Sequence, residues 1–269
     1  MTNNIQIAIS GGLGKMGMLV SNHIHTKKGY EISGIYDPKA KVGSNDVFNN
    51  FQTINDIAAD YIFEFSPANA INKNILLYQS MDVNLIIGSS GLSDESINIL
   101  KKKSKSNLIC VIPNFSIGTA YQKLFSQTIN WFYDNVQIYE THHENKKDSP
   151  SGTSIDLAKS IEPSKNKEEL SDDSKEYGFT TESIINNINI MSFRVPNAVA
   201  EQTVEFKNEY ESFSIQHSVN DREAYLQGID IVLKSLEKIK KPGYISGLEH
   251  FLIKEDRIQS FIDLFNEEK

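Results

Sequence analysis

Short apolar runs recur along the first 113 residues, at Ile5 to Ile9, Ile32 to Tyr36, Tyr61 to Phe65, Leu85 to Ile87 and Leu108 to Ile112. Runs of this length and apolarity read as strands buried on both faces. Between them, Lys15 to Lys28, Asn69 to Met81 and Ser93 to Lys103 have helix-like patterning. The opening is therefore a βαβ unit, and the continued alternation predicts a parallel sheet covered by helices on both sides. The Lys101, Lys102, Lys103 run falls at a predicted helix end, where cations complement the helix dipole.

The pattern changes after Asn114. A helical stretch from Thr119 to Tyr133 leads to an alternating strand, Val136 to Thr141, and then to a second helix, Ser154 to Ile161. The polar, acidic segment Glu162 to Glu182 has the composition of a loop or insertion. Strand-like runs follow at Ile188 to Arg194, Thr203 to Lys207 and Ser212 to Ser218, with NEYES, residues 208–212, as the turn between the last two. An amphipathic helix, Asp221 to Ile239, ends at Lys240, Lys241, Pro242 and Gly243. The fold class expected is α/β: a Rossmann-like doubly wound domain over residues 1–114, then an α+β domain with a mixed sheet over 115–221. Periodicity leaves the destination of the remaining tail open.

The chain has 269 residues, enough for two lobes with a substantial core, and its 39% apolar and 23% charged residues are ordinary for a globular protein. A net charge of −8 argues against a nucleic-acid partner while leaving room for a local basic pocket. The one cysteine, Cys110, lies in the apolar run LICVIP, so neither a disulfide framework nor a cysteine-rich metal site is expected. With no basic start ahead of an apolar signal core and no run of 18 apolar residues, the expectation is a cytoplasmic protein without a membrane partner.

SGGLGKMG, residues 10–17, follows the first strand and enters the first helix, the context a dinucleotide-binding loop requires. Gly11, Gly14 and Gly17 are spaced as GxxGxxG, with Gly12 in addition and Leu13, Lys15 and Met16 between them. Small residues permit a tight turn and close approach of a pyrophosphate, and the helix start supplies positive potential. Asp37 stands at the end of the second strand, where a carboxylate can accept from an adenosine ribose; the plainer alternative is a turn aspartate before Pro38. No arginine follows it, and Lys39 and Lys41 are the only nearby cations, which favours NADH over NADPH. Two later turns, GSSG at 88–91 and PNFS at 113–116, follow strands and are candidates for the nicotinamide pocket, although Gly, Ser, Pro and Asn also suit ordinary loops.

The most informative segment is ETHHENKKDSPSGT, residues 140–153. It gathers His142, His143, Lys146 and Lys147 just ahead of a turn, Pro150 to Thr153, that opens a helix. Imidazole and ammonium groups move protons near neutral pH or hold anions, and a Ser-Gly-Thr helix start offers N–H groups to a carboxylate. Consecutive histidines at a strand end point to opposite faces and lack a ligand spacing such as HExxH, so no metal is expected. The segment reads as a site for a small anionic substrate that must be protonated.

Together SGGLGKMG, GSSG, PNFSIG and HHENKKDSPSGT resemble dihydrodipicolinate reductase, with further similarity in IQHSVNDREAYLQG (215–228) and PGYISGLEHFL. The resemblance implies a Rossmann domain completed by residues 222–269, and a central domain for substrate binding and assembly into a homotetramer. It implies NAD(P)H-dependent reduction of dihydrodipicolinate, a small dicarboxylate, to tetrahydrodipicolinate in diaminopimelate and lysine biosynthesis. It assigns His142 as acid/base, Lys146 as proton donor, His143 as a substrate contact, and Gly152 and Thr153 to a substrate carboxylate. It gives Gly11, Gly12, Leu13, Gly14, Lys15, Met16, Gly17, Asp37, Gly88, Ser89, Ser90, Pro113, Asn114, Phe115 and Ser116 to the cofactor. Lys15 stands where the family commonly has arginine, GSSG replaces GTTG, and RVPNAVAEQT (194–203) carries Pro196, Ala200 and Gln202 in place of two glycines and a histidine. The alternatives are a related reductase of another small dicarboxylate or imine, and a nucleotide-sensing protein without turnover.

Overall fold

The computed structural model describes residues 4–41, 43–44, 48–51, 53–163, 175–177 and 180–252. The chain divides into two units, one formed by the segment up to Phe115 together with the segment from Tyr225 onward, the other by Ser116–Ala224.

In the first unit the chain runs β1 (Ile5–Ser10), α1 (Lys15–His25), β2 (Tyr30–Tyr36), β3 (Gly43–Ser44), β4 (Asn49–Phe51), β5 (Tyr61–Glu64), α2 (Ala68–Tyr78), β6 (Asn84–Ile87), α3 (Asp94–Lys103) and β7 (Leu108–Val111). The second unit holds α4 (Ile117–Ile129), β8 (Asn135–His142), α5 (Gly152–Ser160), β9 (Lys175–Tyr177), β10 (Thr180–Ile185), β11 (Ile188–Arg194), β12 (Ala200–Lys207) and β13 (Ser212–Val219). The chain then returns to the first unit through α6 (Leu226–Lys238), β14 (Gly243–Ser246) and α7 (Glu249–Leu252).

The first sheet has eight strands in the order β14-β7-β6-β5-β1-β2-β4-β3, parallel throughout except at the β3–β4 edge. Strands β5, β6 and β7 are buried almost end to end, as continuous apolar runs in a two-sided sheet require. Strand order reverses about β1, so the crevice where ligands collect in such folds lies beyond the carboxyl ends of β1 and its neighbours. The returning tail, left open by periodicity, adds β14 beside β7 with Tyr244 opposite Ile109.

The second sheet has six strands in the order β13-β12-β8-β11-β10-β9 and is mixed: β8 and β11 are parallel, the other pairs antiparallel. Val136 and Ile138 of β8, Ile188 and Ile190 of β11, and Val204 and Phe206 of β12 pack on Leu157, Ala158 and Ile161 in and beyond α5. Alternate residues such as Tyr139, Met191 and Phe193 lie on the other face and stay half-exposed. The NEYES turn is held by Asn208, whose Oδ1 accepts from Tyr210 N and Glu211 N, each at 2.9 Å. Of the acidic stretch 162–182, expected as a loop, residues 164–174 and 178–179 lie outside the described residues, and residues 180–182 begin β10. The tail beyond Leu252, assigned by resemblance to the Rossmann domain, also lies outside them.

Candidate active site

Parallel register places Gly11, Asp37, Phe65–Ser66 and Gly88 at the same end of the first sheet, each just past a strand. The glycine loop closes on itself and on β2: Gly11 N donates to Tyr36 O at 2.9 Å and Gly14 N to Gly11 O at 3.0 Å. The glycines fall into two kinds. Gly11 has φ +71°, and a Cβ there would lie 2.7 Å from Ser66 N, while a Cβ at Gly17 would run into the Gly11 carbonyl and Gly12 Cα. These two, with buried Gly12, are small so that loop, strand and helix can touch. Leu13, Gly14 and Lys15 are exposed, and Gly14 caps α1 without a side-chain hydrogen bond, so the helix start faces outward with its N–H groups. A Cβ-free cradle at an open helix start fits a dinucleotide pyrophosphate.

Asp37 is half-exposed, and its Oδ1 accepts from Lys39 N at 2.9 Å. The turn role suggested by Pro38 is therefore present, on a carboxylate placed at the strand end a ribose contact requires. In the GSSG turn the two serines differ: Ser89 is buried and donates its hydroxyl to Ser66 O at 2.7 Å, whereas Ser90 is exposed. Gly88 sits where a Cβ would strike the Phe65 and Phe115 rings. Pro113 is exposed, Asn114 half-buried and Phe115 buried. Ser116 is buried in the second unit, where it caps α4 and contacts His217 Nε2 at 3.0 Å. Its hydroxyl is thus occupied by its own unit.

Beneath the loop lies a carboxylate that no motif announces. Glu64, fully buried at the end of β5, accepts at Oε2 from Ser10 Oγ at 2.8 Å, Asn74 Nδ2 at 3.0 Å and Tyr78 Oη, and at Oε1 from Ser66 N at 2.5 Å. Burial and the charge of Glu64 push the Tyr78 phenol well above its ordinary pKa, so it remains a donor. The cluster ties the ends of β1 and β5 to α2 directly under Gly11.

In the second unit the ETHHENKKDSPSGT segment runs off the end of β8 and into α5. Glu140 and His142 share a strand face, being two residues apart, and His142 Nδ1 bonds Glu140 Oε2. His143 lies just past the strand and its carbonyl accepts from Lys146 N at 3.1 Å. Lys146 Nζ pairs with Asp148 Oδ2 at 2.6 Å, a contact the motif alone does not reveal. Burial alone would raise the Asp148 carboxyl, but the Lys146 ammonium and the nearby Arg194 hold it below its ordinary value. Within this loop the Lys146 ammonium is thus held by the exposed carboxylate of Asp148.

After a cis Ser149–Pro150 bond, Ser151 caps α5, its Oγ accepting from Ser154 N at 3.2 Å. Gly152 and Thr153 form the first turn, where helix N–H groups precede the helix's own carbonyls and the dipole favours an anion. The cap is supported from β12 and α4: Ser154 Oγ donates to Gln202 Oε1 at 2.6 Å, and Gln202 Nε2 to Gln122 Oε1 at 2.8 Å. Gln202 thus has a defined job in holding the helix start.

Glu140 and Arg194 complete the arrangement. Glu140 is fully buried and also accepts from Ser151 N and Arg194 Nη1, each at 3.2 Å. Arg194 reaches on to the Lys146 carbonyl through Nε at 3.1 Å and to the Asp148 carbonyl through Nη2. Burial works to raise the Glu140 carboxyl, yet its hydrogen bond with His142 and the Arg194 charge hold it below its ordinary value. The only signal that could have picked out Arg194 is its register: it pairs with His142 across the parallel β8–β11 ladder.

Comparison with known proteins points to one family. Residues 5–115 match the N-terminal part of dihydrodipicolinate reductase and residues 116–252 its C-terminal part. A 4-hydroxy-tetrahydrodipicolinate reductase of Enterococcus faecalis is 28% identical over 264 residues, covering 92% of this chain and 100% of that protein. One of Streptococcus gordonii is 28% identical over 258 residues, covering 92% and 99%. A dipicolinate-bound dihydrodipicolinate reductase from Paenisporosarcina sp. TG-14 superposes with a TM-score of 0.71 at 22% identity, over 92% of this chain and 99% of that one, a likeness of fold. With both halves of the family pattern matched in order and almost without a gap, the chain belongs to the dihydrodipicolinate reductase family.

Proposed function

We propose that this chain reduces 4-hydroxy-tetrahydrodipicolinate to tetrahydrodipicolinate with a reduced pyridine nucleotide, the substrate hydroxyl leaving as water, in diaminopimelate and lysine biosynthesis. The observation that carries the reading is the built state of the family motif. His142, Lys146 and the Gly152–Thr153 turn are tied together through Glu140 and Arg194.

Loss of the C4 hydroxyl with a neighbouring C5 proton, as water, leaves a conjugated imine, and to this the cofactor, when bound, would supply a hydride. The glycine loop from Gly11 to Gly17 would hold its pyrophosphate and Asp37 its ribose, with Gly88, Ser90 and Pro113 to Phe115 toward the nicotinamide. The exposed start of α5 at Gly152 and Thr153 binds a substrate carboxylate, and His143 adds a contact. Lys146, exchanging Asp148 for the substrate, stabilises developing negative charge and delivers the proton, and His142 returns it through Nε2, its Nδ1 being committed to Glu140. In this reading the first unit is the dinucleotide-binding domain and the second the substrate domain.

NADH is the favoured cofactor, because the cations near Asp37 are exposed lysines, not an arginine placed for a 2′-phosphate. A homotetramer assembled through the second sheet is supported by its half-exposed face of Tyr139, Met191 and Phe193. A cytoplasmic location is supported by cysteine usage: the sequence has one cysteine, Cys110, a free buried thiol, and so no disulfide framework of the kind secreted proteins carry. Among the described residues no helix is long and apolar enough to cross a membrane.

The test is oxidation of NADH and NADPH with freshly generated 4-hydroxy-tetrahydrodipicolinate. Lys146→Ala is expected to lower kcat by about 10²- to 10⁴-fold, the range of a positioned general acid, with NADH affinity unchanged. Equal turnover by the variant removes Lys146 from the chemistry. A wild type that binds NADH yet leaves this substrate untouched points to another small imine.

A further inference from the structure

We propose that Glu140 is a positioning residue for this reduction: one buried carboxylate that aims the proton-exchanging imidazole of His142 and anchors the carboxylate-binding start of α5. The inference rests on the reductase reading above and adds to it a residue that touches neither substrate nor cofactor.

Its two oxygens have separate duties. Oε2 takes the Nδ1–H of His142, and Oε1 takes Ser151 N and Arg194 Nη1, each at 3.2 Å. The first contact leaves Nε2 as the nitrogen that can exchange a proton. The second fixes the N-cap residue, and with it the direction in which the first turn of α5 presents its N–H groups. A group that binds the substrate carboxylate and a group that moves its proton are thereby referred to one atom cluster.

Position in the fold makes Glu140 suited to this. It lies within β8, an interior strand of the sheet, with Ser192 of β11 on one side and Gln202 of β12 on the other. Both neighbours hold its backbone, whereas the loop from His143 to Pro150 that leads to Ser151 is half-exposed or exposed. A rigid interior side chain thus steers groups that sit on a less constrained loop. Arg194 serves the same end from β11, joining Glu140 to the carbonyls of Lys146 and Asp148. The fully buried carboxylate remains ionised because several donors, the cationic Arg194 among them, converge on it, and the depressed pKa of Glu140 is consistent with that.

An amide has one acceptor oxygen where the two duties need two, so Glu140→Gln gives up one of them outright, and without the carboxylate charge it holds Arg194 and the start of α5 less firmly in either orientation. With its NH₂ toward His142 it would demand an unprotonated Nδ1 and reverse the tautomer; turned round, it would set its NH₂ against the Ser151 and Arg194 donors. The experiment is a double-mutant cycle with His142→Ala, read by steady-state kinetics and NADH titration. Glu140→Gln is expected to lower kcat by about ten- to a hundredfold, the usual cost of removing an orienting partner, and to raise substrate KM several-fold with NADH affinity unchanged. In the His142→Ala background the kcat loss should vanish while the KM increase persists. A general structural role would instead lower kcat by the same factor in both backgrounds, and that result, or unchanged kcat and KM, overturns the proposal.

A second measurement needs no variant: ¹⁵N shifts of the His142 ring in the wild type, at a pH where it is neutral, should show the proton on Nδ1. A proton on Nε2 overturns the inference. This readout also separates it from the reductase reading, since an inactive wild type with Nδ1 protonated refutes the substrate and leaves the Glu140 contact standing.

Discussion

The glycine loop and the loop after β8, each proposed above as a place for an anion, are built by opposite means. At Gly11 and Gly17 the preparation is absence: with no Cβ, the backbones of β1, β5 and α1 come together under an open helix start. At residues 140–153 the preparation is addition: two carboxylates, an imidazole and an ammonium, those of Glu140, Asp148, His142 and Lys146, sit on residues joined by the Arg194 guanidinium from β11. A site made by omission is sensitive to a single added atom anywhere along its close contacts. A site made by mutual support is sensitive to the loss of partners that never meet the ligand.

The sharpest way to break that contrast is to add one methyl group at the first site. Gly17→Ala sets a Cβ against the Gly11 carbonyl and Gly12 Cα, backbone atoms with no side-chain freedom to yield. Overpacking of this kind costs about 1–3 kcal/mol. Because the strain falls on the binding loop itself, NADH affinity should drop by roughly ten- to a hundredfold. Fluorescence titration checks it, and an unchanged Kd would mean that the loop does not hold the cofactor.

A smaller effect is expected from removing a side chain at the same end. Asp37→Ala takes away a carboxylate that already serves its own turn through Lys39 N and is half-exposed. Charge-assisted hydrogen bonds contribute about 1.5–3 kcal/mol, and exposure places this one at the low end, so NADH affinity should fall about tenfold. Binding that stays the same would leave Asp37 as a turn residue only.

The contrast also explains which parts were legible in the chain before the structure. The five apolar runs became β1, β2, β5, β6 and β7, because a strand buried on both faces needs a continuous apolar run. The short β3 and β4, Gly43–Ser44 and Asn49–Phe51, lack such a run and form through the edge of the sheet. Strand β10 has no clear alternation, since Thr180, Thr181, Glu182, Ile184 and Ile185 are all half-buried beside β11. At the site, glycine spacing and the His-Lys-PSGT order are local and can be read directly. Glu64, Arg194 and Gln202 act through contacts set by strand register and by helices far along the chain, and no local pattern distinguishes them from other polar residues.

The least disruptive test returns to α1, whose open start belongs to the site made by omission, and asks what holds its other end. Asp230 on α6 accepts from His23 Nε2 at 2.8 Å, in the last turn of α1, and from Lys27 Nζ at 3.0 Å just beyond it. Burial tends to raise the Asp230 carboxyl, but these two donors hold it below its ordinary value. A carboxyl depressed in the folded state contributes stability above its unfolded pKa, and loses that contribution as pH falls through the lower folded value. Since the pair is about one-third exposed, solvent screening limits it to about 0.5–1 kcal/mol. Asp230→Asn should therefore lower Tm by about 2 °C at pH 7, and the gap between wild type and variant should narrow below pH ~4. NADH affinity should move by less than about twofold, because the proposed pyrophosphate cradle lies at the other end of α1, where the glycines are. A Tm gap that persists at low pH would show the contact to be one of packing. A large loss of NADH affinity would show that the charged and uncharged parts of this unit are not as separate as the geometry makes them.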